Sequence, residues 1–94
     1  MNHWYKHKIR RKQNITFSSI DGEVILIHPN DGKYYSFNKV GSFIWNSMEH
    51  YITFDELIEF LMAHYEITKE QCEKEVFNFL LQLDKKDLLD VEEL

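Results

Sequence analysis

The residues best suited to nucleophilic or metal chemistry in this 94-residue chain are one cysteine and five histidines. A catalytic thiolate needs solvent exposure and a nearby base, but Cys72 falls among apolar residues of a helical pattern, where a cysteine packs as a small apolar side chain. His3 and His7 have i, i+4 spacing with no third ligand near them in the sequence. The remaining histidines are scattered: His28, His50 and His64. The sequence therefore predicts no catalytic residue, no metal site and no cofactor.

Other common signatures of enzymes are missing from the sequence as well. Its three glycines are widely separated, so no glycine-rich loop can hold a phosphate group. A single cysteine cannot form an internal disulfide, which favours the cytoplasm. No apolar run approaches the roughly 20 residues of a membrane span. We expect a cytoplasmic protein that is not an enzyme and does not enter a membrane.

The charged residues are distributed unevenly along the chain. Residues 1–13 hold five of the eleven basic residues and no acid, which leaves six basic against sixteen acidic residues in 14–94, a net charge of −10. This pattern predicts a basic N-terminal arm over residues 1–13, solvated and frayed, and a domain over residues 14–94. Because an acidic body repels phosphate backbones, nucleic acid is not the expected partner.

Alternating apolar residues predict three short strands, at 15–18, 23–27 and 33–37. Asp21-Gly22 is typical of a tight hairpin turn, since glycine accepts positive φ, and residues 29–32 form a second turn. Together these segments predict a three-stranded antiparallel meander. The middle strand is apolar on both faces, so its outer face must be covered by Trp4 and Tyr5, by another chain or by a partner enzyme.

Capping signals predict three helices after the meander. Asn38 is the expected N-cap of the first, and Thr53 with Glu56 forms a capping box for the second. Thr68 with Gln71 repeats the capping box for the third. The fold class expected is α+β and winged-helix-like, a three-stranded antiparallel β-meander followed by three α-helices.

The third helix carries more apolar residues than one buried face requires. A stripe expected to pack inward contains Cys72, Val76, Phe79, Leu80 and Leu83. Phe77 and Leu81 lie off that stripe, one turn apart, with Glu73 and Asp84 beside them. Either another element of the domain or a binding partner must cover this pair.

A winged-helix DNA-binding protein would have a similar order of elements. Its recognition helix would be the third one, which here carries acidic residues where base and phosphate contacts need Arg, Lys, Asn or Gln. The sign of the charge therefore disfavours DNA binding. A structural or dimerising subunit without a peptide ligand is a further alternative.

Several segments in a fixed order resemble the PqqD-like family, the recognition elements of pathways that modify ribosomally made peptides. The segments are Asp21-Gly22-Glu23-Val24-Ile25-Leu26, Gly32 to Asn38, Gly41, Ile44-Trp45, Phe54-Asp55-Glu56-Leu57, Leu61, Tyr65, Leu80 to Leu83 and Leu88-Leu89. The resemblance extends from about residue 15 to residue 91.

The resemblance implies that the domain binds the leader segment of a precursor peptide, which adds as a strand beside the third strand and faces the third helix. Carried onto this sequence, the edge strand is Lys33, Tyr34, Tyr35 and Ser36. The helix residues expected to contact the leader are Glu73, Val76, Phe77, Leu80, Leu81 and Asp84. Strand addition supplies main-chain hydrogen bonds, and side-chain pockets supply specificity.

The resemblance also implies a separate processing enzyme as second partner. The stretch from Gly32 to Trp45 is most similar to the recognition proteins of lasso-peptide biosynthesis, whose partner is a leader-removing cysteine protease. A chaperone for a radical S-adenosylmethionine enzyme, as in pyrroloquinoline quinone synthesis, is the alternative within the family. The basic N-terminal arm is not part of the family pattern, and its role is open at this point.

Overall fold

The computed structural model describes residues 6–94, which form two three-stranded sheets and three helices around a shared core. In chain order the elements are β1 (His7–Arg11), β2 (Thr16–Ile20), β3 (Glu23–Ile27), β4 (Tyr34–Ser36), α1 (Lys39–Asn46), β5 (Ile52–Thr53), α2 (Phe54–His64), α3 (Lys69–Lys85) and β6 (Leu89–Glu93). The fold class is α+β, as the sequence predicts.

The predicted meander is confirmed as the antiparallel sheet β2-β3-β4, called the meander below. Its first turn has Asp21 at φ 52° and Gly22 at φ 80°, the pair of positive angles that a tight hairpin with matching strand twist requires. Val24 and Leu26 are fully buried on the inner face, where Tyr35 pairs with Leu26.

The three helices begin where the capping residues predict. The Asn38 side chain accepts a hydrogen bond from the Gly41 N–H, and Thr53 forms a complete capping box with Glu56. Thr68 accepts from the Gln71 N–H at 3.1 Å. The prediction of a second capping box is wrong, however. The Gln71 side chain does not bond back to the Thr68 backbone but donates to the Glu75 carboxylate, one turn further along α3, at 3.0 Å.

The second sheet was not predicted, and it corrects the expectation that residues 7–11 belong to a solvated, frayed arm. β1 lies between β5 and β6, antiparallel to both, in what we call the terminal sheet. Ile9, at its centre, is 0% exposed. Residues 7–11 are thus part of the fold and not of a solvated arm. Of the other N-terminal residues considered above, His3, Trp4 and Tyr5 lie outside the described residues.

Opposite charges explain why a basic segment can occupy this position. Lys8 lies opposite Glu92 and Arg10 opposite Asp90 in the strand register. The Arg10 guanidinium is 2.9 Å from the Asp90 carboxylate, and Lys12 Nζ is 2.7 Å from Asp87. The basic N-terminal residues therefore neutralise part of the acidic C-terminal segment, and cross-strand pairs of this kind stabilise a specific register.

The core joins both sheets to the helices. Trp45 of α1 is fully buried between the two sheets, with the Phe17 ring 5.7 Å and the Phe37 ring 5.6 Å from its own. The Arg11 side chain donates to the Trp45 carbonyl at 3.2 Å, which ties β1 to α1. None of the helices within residues 6–94 is long and apolar enough to cross a membrane.

Candidate functional site

β4 is an edge strand, and its hydrogen-bonding groups are not all used by the fold. Within the described residues it pairs with β3 alone. The Lys33 carbonyl accepts from the His28 N–H at 2.9 Å, and the Phe37 N–H donates to the Val24 carbonyl at 3.0 Å. Because hydrogen-bonding direction alternates along an antiparallel strand, the N–H and C=O groups of Tyr34 and Ser36 face the open edge.

A groove of about 270 Å³ lies between this edge, the start of α1 and one flank of α3. It is called the groove below. Its lining residues are Ser36, Phe37, Asn38, Val40, Gly41, Ile44, Glu75, Asn78, Phe79 and Gln82.

Aromatic packing forms the floor of the groove. The Phe37 and Phe79 rings meet edge to face with centroids 5.0 Å apart, a favoured geometry for aromatic pairs. This close approach depends on Gly41, because a Cβ atom at that position would lie 2.9 Å from the Phe79 ring and 3.2 Å from the Phe37 Cβ. The small residue in α1 therefore allows α1 and α3 to converge beneath the edge strand.

The α3 wall of the groove is polar above this floor. Glu75, Asn78 and Gln82 are exposed and line the groove on one side of the helix. A carboxylate and two amides can accept hydrogen bonds from a bound chain, while the aromatic floor can hold an apolar side chain. The groove thus offers chemistry suited to an extended peptide.

The six α3 residues predicted to contact the leader lie in different environments in the structure. Val76 and Leu80 are 0% exposed and belong to the core. Phe77 and Leu81 are half-buried and pack against the core. Since consecutive helix residues are about 100° apart, Phe77 lies roughly 140° around α3 from Gln82.

Glu73 and Asp84 are exposed on the same flank as Phe77. That flank is turned away from the groove, so the structure does not bring these residues together with β4. The sequence reasoning missed Glu75, Asn78 and Gln82, and it assigned Phe79 to the core alone. Their i, i+3, i+4, i+7 spacing could have identified them as one flank, but only the position of β4 shows which flank faces the edge.

The four predicted β4 residues do lie together at the edge. Tyr34 is 72% exposed, Lys33 is exposed just before the strand, and Ser36 lines the groove. Tyr35 is half-buried on the inner face, and its hydroxyl donates to Asp31 at 3.0 Å. This hydrogen bond raises the pKa of Tyr35.

Asp31 organises the turn that precedes β4. Its carboxylate also accepts from the Lys33 N–H at 2.8 Å. The hydrogen bond from the Lys33 backbone N–H holds the pKa of Asp31 below its usual value, and the hydrogen bond from the Tyr35 hydroxyl adds to this effect. These two hydrogen bonds stabilise the turn that leads into β4.

The other face of the meander exposes apolar side chains, and we call it the outer face. Ile20, Ile27 and Tyr34 are exposed there, and with Ile25 they line a shallow hollow of about 160 Å³. The sequence predicted that this face would need a cover. Two of the candidate covers, Trp4 and Tyr5, lie outside the described residues.

Among residues 6–94, the groups with potential for nucleophilic or metal chemistry lie apart from one another. Cys72 is fully buried, and its thiol lies 3.7 Å from the Ile58 carbonyl. Burial raises the pKa of this thiol, with the Glu73 and Glu75 charges adding to the effect, so the reactive thiolate is disfavoured. Within residues 6–94, no group of three His, Cys, Asp or Glu side chains is arranged to hold a metal ion.

The chain is similar to known proteins in both sequence and structure. Residues 23–89 match the family described as Coenzyme PQQ synthesis protein D (PqqD). A solved structure of TbiB1 in complex with the TbiA(beta) leader peptide is 30% identical in sequence and superposes with a TM-score of 0.78. The similarity covers 86% of this chain and 94% of that chain. A comparison with curated protein sequences gives no match.

Two more distant structures share the fold. Lasso peptide synthetase B1 complexed with the leader peptide is 18% identical, with a TM-score of 0.73 over 87% of this chain and 96% of that one. The PqqD truncation of Methylobacterium extorquens PqqCD, a stand-alone recognition element for ribosomally synthesised and modified peptides, is 13% identical, with a TM-score of 0.72 over 88% of each chain. At these identities the similarity concerns the fold alone.

Proposed function

This chain belongs to the PqqD family, and from that premise we propose that it binds the leader segment of a ribosomally made precursor peptide by strand addition at β4. The observation that carries the proposal is the open edge of β4 beside a groove with an aromatic floor. It is supported by the 30% identical TbiB1, whose structure is a complex with a leader peptide. Binding, and not catalysis, is the activity proposed for the chain itself.

The edge of β4 defines how the leader would bind. The outward N–H and C=O groups of Tyr34 and Ser36 can form up to four main-chain hydrogen bonds with an added strand. Side chains alternate along that strand, so one set would face the groove and the other the outer face beside Tyr34.

The two surfaces predict different leader side chains. In the groove, an apolar residue would contact the Phe37 and Phe79 rings, and a neighbouring hydrogen-bond donor would meet Glu75. On the outer face, an apolar residue would pack beside Tyr34 and Ile27. We therefore propose a leader with apolar residues on both faces of the added strand, an odd number of positions apart, and no carboxylate at the position facing Glu75.

The proposed second partner is a separate enzyme that processes the bound peptide in the cytoplasm. The sequence from Gly32 to Trp45 favours a lasso-peptide leader protease. The alternative that the family resemblance implies is a radical S-adenosylmethionine enzyme. Co-purification of the chain with each enzyme encoded beside its gene would decide between the two.

The test of leader binding is fluorescence anisotropy with a labelled leader from the precursor encoded beside this gene. The wild type is compared with Asn78→Arg, which places a long charged side chain in the groove, and with Asp84→Arg on the opposite flank of α3. Saturable binding is expected for the wild type and for Asp84→Arg. Asn78→Arg is expected to lose about tenfold or more in affinity, roughly 1.4 kcal/mol.

The control variant distinguishes a loss of affinity caused by blocking the groove from one caused by added positive charge. Asp84→Arg changes the net charge by more than Asn78→Arg does, but lies on the other flank of α3. A greater loss for Asp84→Arg would move the site to the Phe77 flank. No saturable binding by the folded wild type would reject leader binding for that peptide. Labelled duplex DNA in the same assay tests the remaining alternative, and the acidic α3 predicts no salt-dependent binding.

A further inference from the structure

One buried polar side chain connects the turn before β4 to the end of α3. His28 follows β3 and is 5% exposed. Its Nε2 atom lies 2.6 Å from the Lys86 carbonyl at the C-terminal end of α3. Its Nδ1 atom accepts a hydrogen bond from the Asn30 N–H at 3.1 Å. Both ring nitrogens are therefore engaged, one by each of two separate segments.

These two contacts define the protonation state of the imidazole. Because the Asn30 N–H can only donate, Nδ1 carries no proton, and because a carbonyl can only accept, Nε2 does carry one. His28 is thus neutral in this arrangement. A second proton on Nδ1 would point at the Asn30 N–H and remove that hydrogen bond.

The segments joined by His28 continue directly into the site. The turn at residues 28–33 leads into β4, and the His28 and Tyr35 rings meet edge to face with centroids 6.2 Å apart. On the other side, Lys86 Nζ lies 5.5 Å from the centre of the Tyr35 ring. Lys86 follows Gln82 of the groove by about one helical turn. His28 thus fixes the start of β4 against the end of α3.

We propose that neutral His28 is a positioning residue that sets the separation of β4 and α3 and thereby the affinity for the leader. This inference rests on the proposed function, which it deepens. His28 does not line the groove, so it acts through Lys86 and the β3–β4 turn. The charged groups around it are Asp31 and Lys33 from the turn, and Lys86 and Asp87 after α3.

The test compares three variants in the leader anisotropy assay, each at a temperature where it is folded. His28→Leu removes both hydrogen bonds, whereas His28→Gln keeps a donor for the Lys86 carbonyl. Ile52→Ala in β5 is a buried substitution outside the groove and controls for lost stability. We expect about a tenfold loss of affinity for His28→Leu, and His28→Gln and Ile52→Ala within about threefold of the wild type.

Rescue by His28→Gln supplies a readout that a general loss of packing would not give, because this variant keeps only the hydrogen bond to the Lys86 carbonyl. Wild-type affinity in His28→Leu, an equal loss in His28→Gln, or an equal loss in Ile52→Ala would each overturn the inference.

Amide hydrogen exchange of the free protein tests the positioning role of His28 independently of leader binding. In free His28→Leu, the Tyr35 N–H of β4 is expected to exchange faster than in the wild type, while the Ile9 N–H of β1 is unchanged. Unchanged exchange at Tyr35 would reject the positioning role of His28. Failure of the wild type to bind leader would instead reject the proposed function.

Discussion

The two sheets of this domain use their backbone groups in opposite ways. In the terminal sheet, β1 is paired on both sides, and its basic residues face acidic residues of β6. In the meander, β4 is paired on one side and turns the N–H and C=O groups of Tyr34 and Ser36 toward an open edge beside the groove. The comparison shows that β1 satisfies its backbone groups within the fold, whereas β4 leaves those of two residues at the edge where we propose that the leader binds.

Charge at the remaining edges strengthens this contrast. β6 is also an edge strand, but it carries Asp90, Glu92 and Glu93, and charged edge residues discourage unwanted strand pairing. β4 instead carries two tyrosines and a serine. Of these two edges, that of β4 is the more suitable for a peptide.

The largest expected effect comes from a substitution in the central strand of the terminal sheet. Ile9→Ala removes a fully buried side chain at the centre of β1, and such substitutions lower the free energy of unfolding by about 2–5 kcal/mol. Urea unfolding measures the loss. Leader affinity of the folded variant should equal that of the wild type, and a loss of affinity without a loss of stability would contradict the division of roles.

The second prediction concerns a substitution that blocks strand pairing at the β4 edge and leaves the fold intact. Ser36→Pro removes an N–H that faces the edge, and proline is tolerated on edge strands. Leader affinity should fall by about tenfold or more, roughly 1.4 kcal/mol, as measured by anisotropy, with the circular dichroism spectrum unchanged.

Ser19→Pro is the matched control for this edge variant. Val24 of β3 bonds to the β4 side, so the backbone groups of its neighbour Ile25 face Ser18 of β2. By strand alternation Ser19 turns its N–H toward the opposite edge of the sheet, which has no partner strand within residues 6–94. Leader affinity of Ser19→Pro should equal that of the wild type. An equal loss in both variants would show that general loosening of the meander, and not the β4 edge, governs binding.

A smaller effect is expected from an ion pair between β1 and β6 in the terminal sheet. A double-mutant cycle on Arg10 and Asp90, whose charged groups are 2.9 Å apart and partly buried, should give a coupling of about 0.5–1 kcal/mol in unfolding experiments. The Lys8–Glu92 pair, at 3.8 Å and more exposed, should give less. A larger coupling for Lys8–Glu92 would contradict the ranking of the two pairs by distance and burial.

The smallest effect concerns acid stability of the turn before β4. The folded-state pKa of Asp31 lies below its ordinary value of 3.8, first through the Lys33 N–H. A lowered folded pKa means that the stabilisation is present above the unfolded pKa and is lost as the pH falls through the folded pKa. The stability difference between wild type and Asp31→Asn should therefore vanish at acid pH. A constant difference would contradict the role of the Asp31 carboxylate.

Local signals made much of the fold predictable. The Asp21-Gly22 turn, the Asn38 cap and the Thr53–Glu56 capping box each act within four residues, and each is found where the sequence predicts it. The terminal sheet was missed because it joins β1 to β6 from opposite ends of the chain. A basic segment looks solvated until its acidic partner strand is known.

The candidate site was predictable in part for the same reason. The strand Tyr34–Ser36 follows from a local pattern, and the structure places it at an edge. The flank of α3 that faces it depends on how two elements pack, which helix periodicity cannot supply. Phe77 and Leu81 attracted attention as surplus apolar residues, whereas the groove is lined by Asn78, Phe79 and Gln82.

Amide hydrogen exchange with and without leader tests the central claim most directly. The account predicts that saturating leader slows exchange of the Tyr34 and Ser36 amides, whose N–H groups face the open edge, and leaves the outward amides of Phe17 and Ser19 in β2 and those of β1 unchanged. Slowed exchange at β2 or β1 with no change at Tyr34 and Ser36 would contradict strand addition at β4.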